Sequence, residues 1–128
     1  MKVIDNLLYT KNHEWILLED NIATVGITDY AQGELGDIVY VEIDTLEQLL
    51  EEGDVFGSVE AVKTVSDLFM PTSGQVIAVN QKLENNPELV NDDPYGDGWI
   101  IKVQLDNKIL DDDKLLSSDD YKELIGLS

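Results

Sequence analysis

Runs of alternating apolar and polar residues, each broken by a glycine or a polar cluster, fill the first two thirds of this chain and confine it to a β-rich fold. A period of two puts every second side chain on one face, so each run can bury one side of a strand. Residues 14–18 and 21–27 read as two strands joined through the polar turn Glu19-Asp20-Asn21. Thr28 then offers an N-cap, with Asp29 in the first turn, Ala31, Gln32, Glu34 and Leu35 as helix formers, and Gly36 as the stop. Residues 37–43 alternate again. Their uniformly aliphatic face, Val39, Val41 and Ile43, is expected to be the buried one.

Residues 45–52 read as a loop or one helical turn, and Gly53-Asp54 as a turn. Residues 55–62 and 67–70 are β-rich, the second run closed by Pro71, and residues 74–81 alternate once more. Residues 83–97 are polar and hold Pro87 and Pro94, which predicts a loop with one short turn. Residues 98–105 form the last strong strand pattern. Ser117, followed by Asp119 and Asp120, opens a terminal helix with Tyr121, Leu124 and Ile125 on its apolar face. Many short strands with small helices at the edges predict a mainly β fold: a flattened barrel or sandwich hybrid with short helices, including a C-terminal one.

A chain of 128 residues is the size of one domain. Eight Lys and no Arg face 27 Asp plus Glu, for a formal charge of -19. Such a surface repels phosphate backbones and anionic lipid, so neither nucleic acid nor membrane is an expected partner. It favours basic protein surfaces, or it serves only to keep a small domain soluble. The absence of Cys excludes disulfides, thiol nucleophiles and Cys metal sites. Residues 1–9 carry Asp5 and no long apolar run, and no stretch approaches membrane-helix length, so a cytoplasmic protein without a signal peptide is expected.

One side chain stands apart from this charge pattern. Between Asn12 and Gln81, Lys63 is the only Lys or Arg, amid fourteen acids. A solvated, idle surface lysine is the plain reading. Its position between two β-rich runs suits the tip of a hairpin. Schiff-base chemistry would require burial or neighbouring cations to depress the amine's pKa, whereas Glu60 and Asp67 act the other way. A tip lysine does suit a covalent arm, because amide formation discards the charge.

The run Gly57-Ser58-Val59-Glu60-Ala61-Val62-Lys63-Thr64, followed by Ser66-Asp67, Pro71 and Ser73-Gly74, resembles the lipoylation site of glycine cleavage H proteins. In that family a Glu precedes the modified lysine by three positions and a Gly follows it by eleven, matching Glu60 and Gly74. Biotin carriers share this hairpin but usually flank their lysine with methionines, unlike Val62 and Thr64. The resemblance extends to Tyr9-Thr10-Lys11-Asn12-His13-Glu14-Trp15, Gly26-Ile27-Thr28-Asp29-Tyr30-Ala31-Gln32, Leu35-Gly36-Asp37-Ile38-Val39, Asn86-Pro87-Glu88-Leu89-Val90-Asn91 and Pro94-Tyr95-Gly96-Asp97-Gly98-Trp99. Ala61 and Thr64 depart from the more usual Ser and Ala, and residues 44–49 lack the Pro and Gly that relatives often have there.

The resemblance implies one lipoyl-carrier domain over residues 1–128, of the lipoyl-domain-like hammerhead type, with terminal helical decoration. It implies a carrier rather than an enzyme, with a lipoyl group on Lys63 and with Glu60 and Gly74 as hairpin or ligase-recognition residues. The cycle it implies visits glycine decarboxylase, a tetrahydrofolate-dependent aminomethyltransferase and dihydrolipoyl dehydrogenase, after modification by a lipoate ligase or lipoyl transferase. It also implies a cleft for the loaded arm lined by Asn12, Glu14, Ile27, Ala31 and Asp67. Three rivals stand beside it: an H-like protein acting mainly in lipoyl relay, a small enzyme with Lys63 as nucleophile, and an unmodified acidic interaction domain. His13, the lone histidine, reads as a structural hydrogen-bonded residue, and Trp15 and Trp99 as core aromatics ahead of cleft ones. Asp92-Asp93 and Asp111-Asp112-Asp113 lack calcium-loop spacing and read as solvated charge, and Gly96-Asp97-Gly98 as a turn.

Overall fold

The computed structural model describes residues 2–105 and 115–127, so Asp111-Asp112-Asp113 lies outside the described residues. Nine strands and four short helices are described: β1 (Leu8–Tyr9), β2 (Glu14–Glu19), β3 (Ile22–Ile27), α1 (Asp29–Leu35), β4 (Ile38–Glu42), β5 (Leu49–Leu50), β6 (Val55–Ala61), β7 (Val65–Phe69), β8 (Gly74–Val79), α2 (Lys82–Asn85), α3 (Leu89–Asp92), β9 (Ile101–Leu105) and α4 (Ser118–Leu124). One sheet of six strands has the order β1-β2-β3-β9-β8-β5, and a second of three has the order β4-β6-β7. Every pairing is antiparallel. The fold is therefore the two-sheet form of the expected architecture, and it does not close into a barrel.

The alternating pattern explains how the sheets meet. Ile16, Val25, Val76, Ile101 and Val103 of the large sheet pack with Phe56, Val59 and Leu68 of the small one in a single buried cluster. Trp15 points the opposite way from Ile16 and joins Leu7, Tyr9 and Tyr121 in a second cluster. Thus β3 is covered on both faces, and its last five residues are all buried. Trp15 lies flat over its cross-strand partner Gly26, where a Cβ would come within 2.6 Å of the indole. The indole N–H donates to the Pro94 carbonyl at 2.9 Å, which satisfies its one polar atom.

Local signals act as expected at several junctions. Thr28 caps α1 by accepting the Ala31 amide, and Gly36 ends that helix with a positive φ of 82°. Ser117 caps α4 in the same way through the Asp120 amide. Gly96-Asp97-Gly98 lies within a turn. Tyr121 is fully buried, whereas Leu124 is exposed, so only part of the expected apolar face of α4 is covered.

The structure corrects four expectations. The aliphatic face of residues 37–43 is buried only in part: Val41 and Ile43 pack against the main core, but Val39 does not. A bulge between Ile38 and Tyr40 shifts the phase, so Ile38 is buried and Val39 is 47% exposed, with Val41 and Ile43 half-buried. Residues 45–52 contain the short strand β5, which pairs with Gly74 and Gln75 after a turn at Glu47, itself at positive φ. Residues 83–97 hold two helical turns, because Leu83 and Val90 each project into the main core. Trp99 is only half-buried and packs at the margin of the second cluster. The pairing of Leu8–Tyr9 with β2 had too few residues to register as a pattern.

Gly74 has a packing role. It pairs with Leu105, and a Cβ there would meet the Gln104 carbonyl oxygen at 2.5 Å and Val103 Cγ1 at 2.6 Å. Gly33, within α1, has open space around the same built atom. Gly74→Ala should therefore cost about 1–3 kcal/mol of stability through overpacking. Gly33→Ala should add about 0.5–1 kcal/mol through helix propensity. Urea unfolding midpoints moving in opposite directions would bear this out; a silent Gly74→Ala would not.

Candidate functional site

Lys63 sits where β6 turns into β7. The ladder runs from Val55 opposite Phe69 to Glu60 opposite Val65, and the Ala61 amide donates to the Thr64 carbonyl at 2.7 Å to close the turn. Only Val62 and Lys63 lie between those last partners, and both are exposed. Ala61 is buried, and the Val62 amide donates to the Asp37 carbonyl at 3.1 Å. The hairpin is therefore braced up to the residue before the lysine and free at its end. Among the described residues the amine forms no salt bridge. Val62 is 76% and Val65 60% exposed, which leaves apolar side chains on either side of the tip.

The lysine stem lies beside the end of α1. A Cβ built on Gly36 would stand 3.6 Å from Lys63 Cε and 4.0 Å from Nζ. Leu35, the residue before Gly36, lines a cleft of about 340 Å³. That volume falls within the range of small-molecule sites. The cleft is formed by the turn before β2, the end of β3, α1 and the middle of β7. Asn12, Glu14, Ile27, Ala31 and Asp67 all line it, together with His13, Tyr30, Glu34, Leu35, Ser66 and Leu68. These last six were not expected in the cleft, although Tyr30 and Glu34 lie one helical turn apart on α1 beside the expected Ala31.

Glu14 is the most unusual group in this cleft. It is only 2% exposed. One oxygen accepts the Phe69 amide at 3.0 Å and the other is 3.4 Å from the Thr10 hydroxyl, so the carboxyl bridges the large sheet to β7. Burial pushes its pKa up to about 8, against the lowering effect of both hydrogen bonds. Asn12 and Asp67 are exposed, Ile27 is buried, and Ala31 is half-buried. The cleft thus joins an apolar floor to a carboxyl-bearing wall, with no Lys or Arg among its lining residues.

His13 does have the structural partner expected of it: its Nδ1 lies 2.9 Å from the Tyr121 hydroxyl. Burial lowers its pKa, and the Glu34 charge opposes that shift. Glu60 is exposed on the hairpin flank opposite Tyr40, whereas Gly74 lies beyond the other end of β7, away from the tip. Asp93 accepts the Asp97 amide at 2.9 Å and so serves a turn. Among the described residues no group of three or more His, Asp or Glu side chains could hold a metal ion.

The sequence model of the family described as glycine cleavage H-protein matches residues 7–126. The chain belongs to this H-protein family. It is 55% identical to the glycine cleavage system H protein of Staphylococcus haemolyticus over 127 residues, covering 98% of this chain and 99% of the relative. It is 54% identical to that of Bacteroides fragilis over 126 residues, with the same coverage. The crystal structure of a glycine cleavage system H protein from Mycobacterium marinum superimposes with a TM-score of 0.88 at 36% identity, covering 98% of this chain and all of that one. Family membership therefore rests on the whole fold and not on the lysine hairpin alone.

The raised pKa of Glu14 has a measurable consequence. Its folded pKa lies above the ordinary value, so its contribution to stability is full below about pH 4.5 and is lost as pH rises toward 8. Relative to Glu14→Gln, the wild-type chain should lose up to about 1.4 kcal/mol per pH unit across that window, the linkage slope of one proton. Urea unfolding of both proteins at several pH values tests this. Parallel stability curves would show that Glu14 titrates normally.

Proposed function

We propose that this chain is the lipoyl-bearing shuttle of the glycine cleavage system, a single carrier domain spanning residues 1–128 with its arm on Lys63. The observation that carries this reading is an exposed amine at a braced hairpin tip, beside a cleft, in a chain of this family. Lipoylation needs a primary amine that a ligase can enclose, and a two-residue reversal presents one. When attached, the lipoyl group supplies a dithiolane whose sulfur takes up the aminomethyl unit and whose dithiol form is later reoxidised.

The side chains of this protein then hold and shelter. Ile27, Ala31, Leu35 and Leu68 offer an apolar floor to an aliphatic arm, and the Gly36 surface lets the lysine stem lie toward it. Asp67 and Glu34 present carboxylates to an ammonium. Glu14, held neutral near pH 7 by burial, would ionise when a cation arrives beside it, since an adjacent positive charge lowers a carboxyl pKa. The partners on this reading are glycine decarboxylase, aminomethyltransferase and dihydrolipoyl dehydrogenase, each visited in turn, with a lipoate ligase or lipoyl transferase acting once on the hairpin. The chain itself is a non-catalytic carrier subunit, placed in the cytoplasm with its partners. Asn12 borders the cleft mouth, and Glu60 marks the hairpin flank for the modifying enzyme.

Intact mass and peptide mapping of protein from lipoate-fed cells should find one lipoyl group, on Lys63. Lys63→Arg should abolish both the mass increment and glycine decarboxylation reconstituted with purified partners. Glu60→Gln should slow modification while leaving the unfolding midpoint unchanged. A lipoyl group mapped elsewhere, or full reconstituted activity in Lys63→Arg, would end the shuttle reading.

A further inference from the structure

We propose that Tyr121, on the C-terminal helix, is a positioning residue for the cleft, holding the imidazole of His13 neutral and in one tautomer through a directed chain of hydrogen bonds. The inference rests on reading the cleft as the shelter of the loaded arm. Tyr121 is fully buried, and its ring stacks on Tyr9 with centroids 4.6 Å apart and 8° between planes. Its hydroxyl lies 2.9 Å from His13 Nδ1 and 2.7 Å from Thr28 Oγ1. Thr28 in turn caps α1, its Oγ1 accepting the Ala31 amide at 3.2 Å. A single hydroxyl thereby ties the turn before β2 to the start of α1, and His13, Tyr30 and Ala31 from these two elements line the cleft.

The direction of the chain follows from where each proton can go. If Tyr121 donated to Thr28, then His13 Nδ1–H would donate to Tyr121. The Thr28 hydroxyl proton would then have no acceptor among the described residues, although Thr28 is fully buried. A buried polar proton without a partner is costly. The reverse order gives each of these three donors an acceptor: Ala31 N–H donates to Thr28, Thr28 O–H to Tyr121, and Tyr121 O–H to Nδ1. His13 then carries its proton on Nε2.

Protonation of the ring would break this order. An imidazolium donates from both nitrogens, so both hydroxyls would have to turn and the Thr28 proton would lose its acceptor. The groups facing His13 are Tyr30 and Glu34 of α1 and Tyr121 of α4, with Glu14 of β2 and Asp67 of β7 lining the same cleft. Burial outweighs the opposing Glu34 charge, so the direction of the His13 shift agrees with a ring kept neutral. An arm bearing an ammonium would then meet carboxyl groups and a neutral donor, with no cation to repel it.

His13 is the one histidine in the chain, so its ring nitrogens give unambiguous NMR signals in the full lipoylated protein. The expected spectrum at pH 7 shows Nε2 protonated and Nδ1 bare. Tyr121→Phe should mix the tautomers, raise the protonation midpoint of His13 and shorten the lifetime of the aminomethyl-loaded arm roughly three- to tenfold, the effect of one ordinary hydrogen bond. Thr28→Ser, which keeps the cap hydroxyl, should behave as wild type. An Nδ1–H tautomer in the wild-type protein overturns the inference without any variant, as does a Tyr121→Phe protein with altered tautomer but an unchanged arm lifetime. Failure of the shuttle reading would show separately, as an unmodified Lys63.

Discussion

The structure depends on the β6–β7 hairpin being rigid along its length and free at its end. Rigidity comes from Phe56, Val59 and Leu68, which anchor the small sheet in the core of the large one. It is reinforced where the buried carboxyl of Glu14 reaches across to the Phe69 amide. Freedom comes from stopping that burial abruptly, between Ala61 inside and Val62 outside. On the proposed reading, a looser hairpin would spread the attachment point over many positions. A tip buried one residue further would enclose the Lys63 amine.

That same bridge sets the chemistry of the cleft. Glu14 is in place because β2 must be pinned to β7, and its removal from water makes it a weak acid rather than a fixed charge. The exposed carboxylates around it belong to a surface of net charge -19, whose field acts on any cation approaching the cleft. The cleft thus combines a general attraction for positive charge with one buried carboxyl whose state depends on what lies beside it.

Much of this was legible in the sequence, for identifiable reasons. Thr28, Gly36 and Ser117 are local stop and start signals that act through their own backbone neighbours, so no tertiary knowledge was needed. Lys63 stood out because charge composition isolates it, and the strand patterns on both sides located it at a reversal. The five cleft residues came from family resemblance, and the fold gathers them from four separate elements that no local pattern links. What was not legible depended on long-range packing. The bulge after Ile38 turns Val39 out of an otherwise regular alternation, and it shows only in the register with β6. Leu83 and Val90 fall in a polar stretch that reads as loop, yet each is buried in the main core from within a helical turn.

On the proposed reading, the openness of the cleft suits what a carrier must do. A closed cavity would protect an arm best, but every partner would then have to bear the cost of opening it. Here the walls come from elements fixed for other reasons: β3 in the core, α1 capped at both ends, and β7 in the small sheet. The cleft is therefore already formed before anything enters it, so sheltering an arm requires little ordering of the protein. Its apolar floor and its few carboxyl groups limit the binding free energy to a small number of contacts. On the proposed reading, a preformed site with few contacts suits a tethered group that is sheltered in transit and still surrendered at each stop.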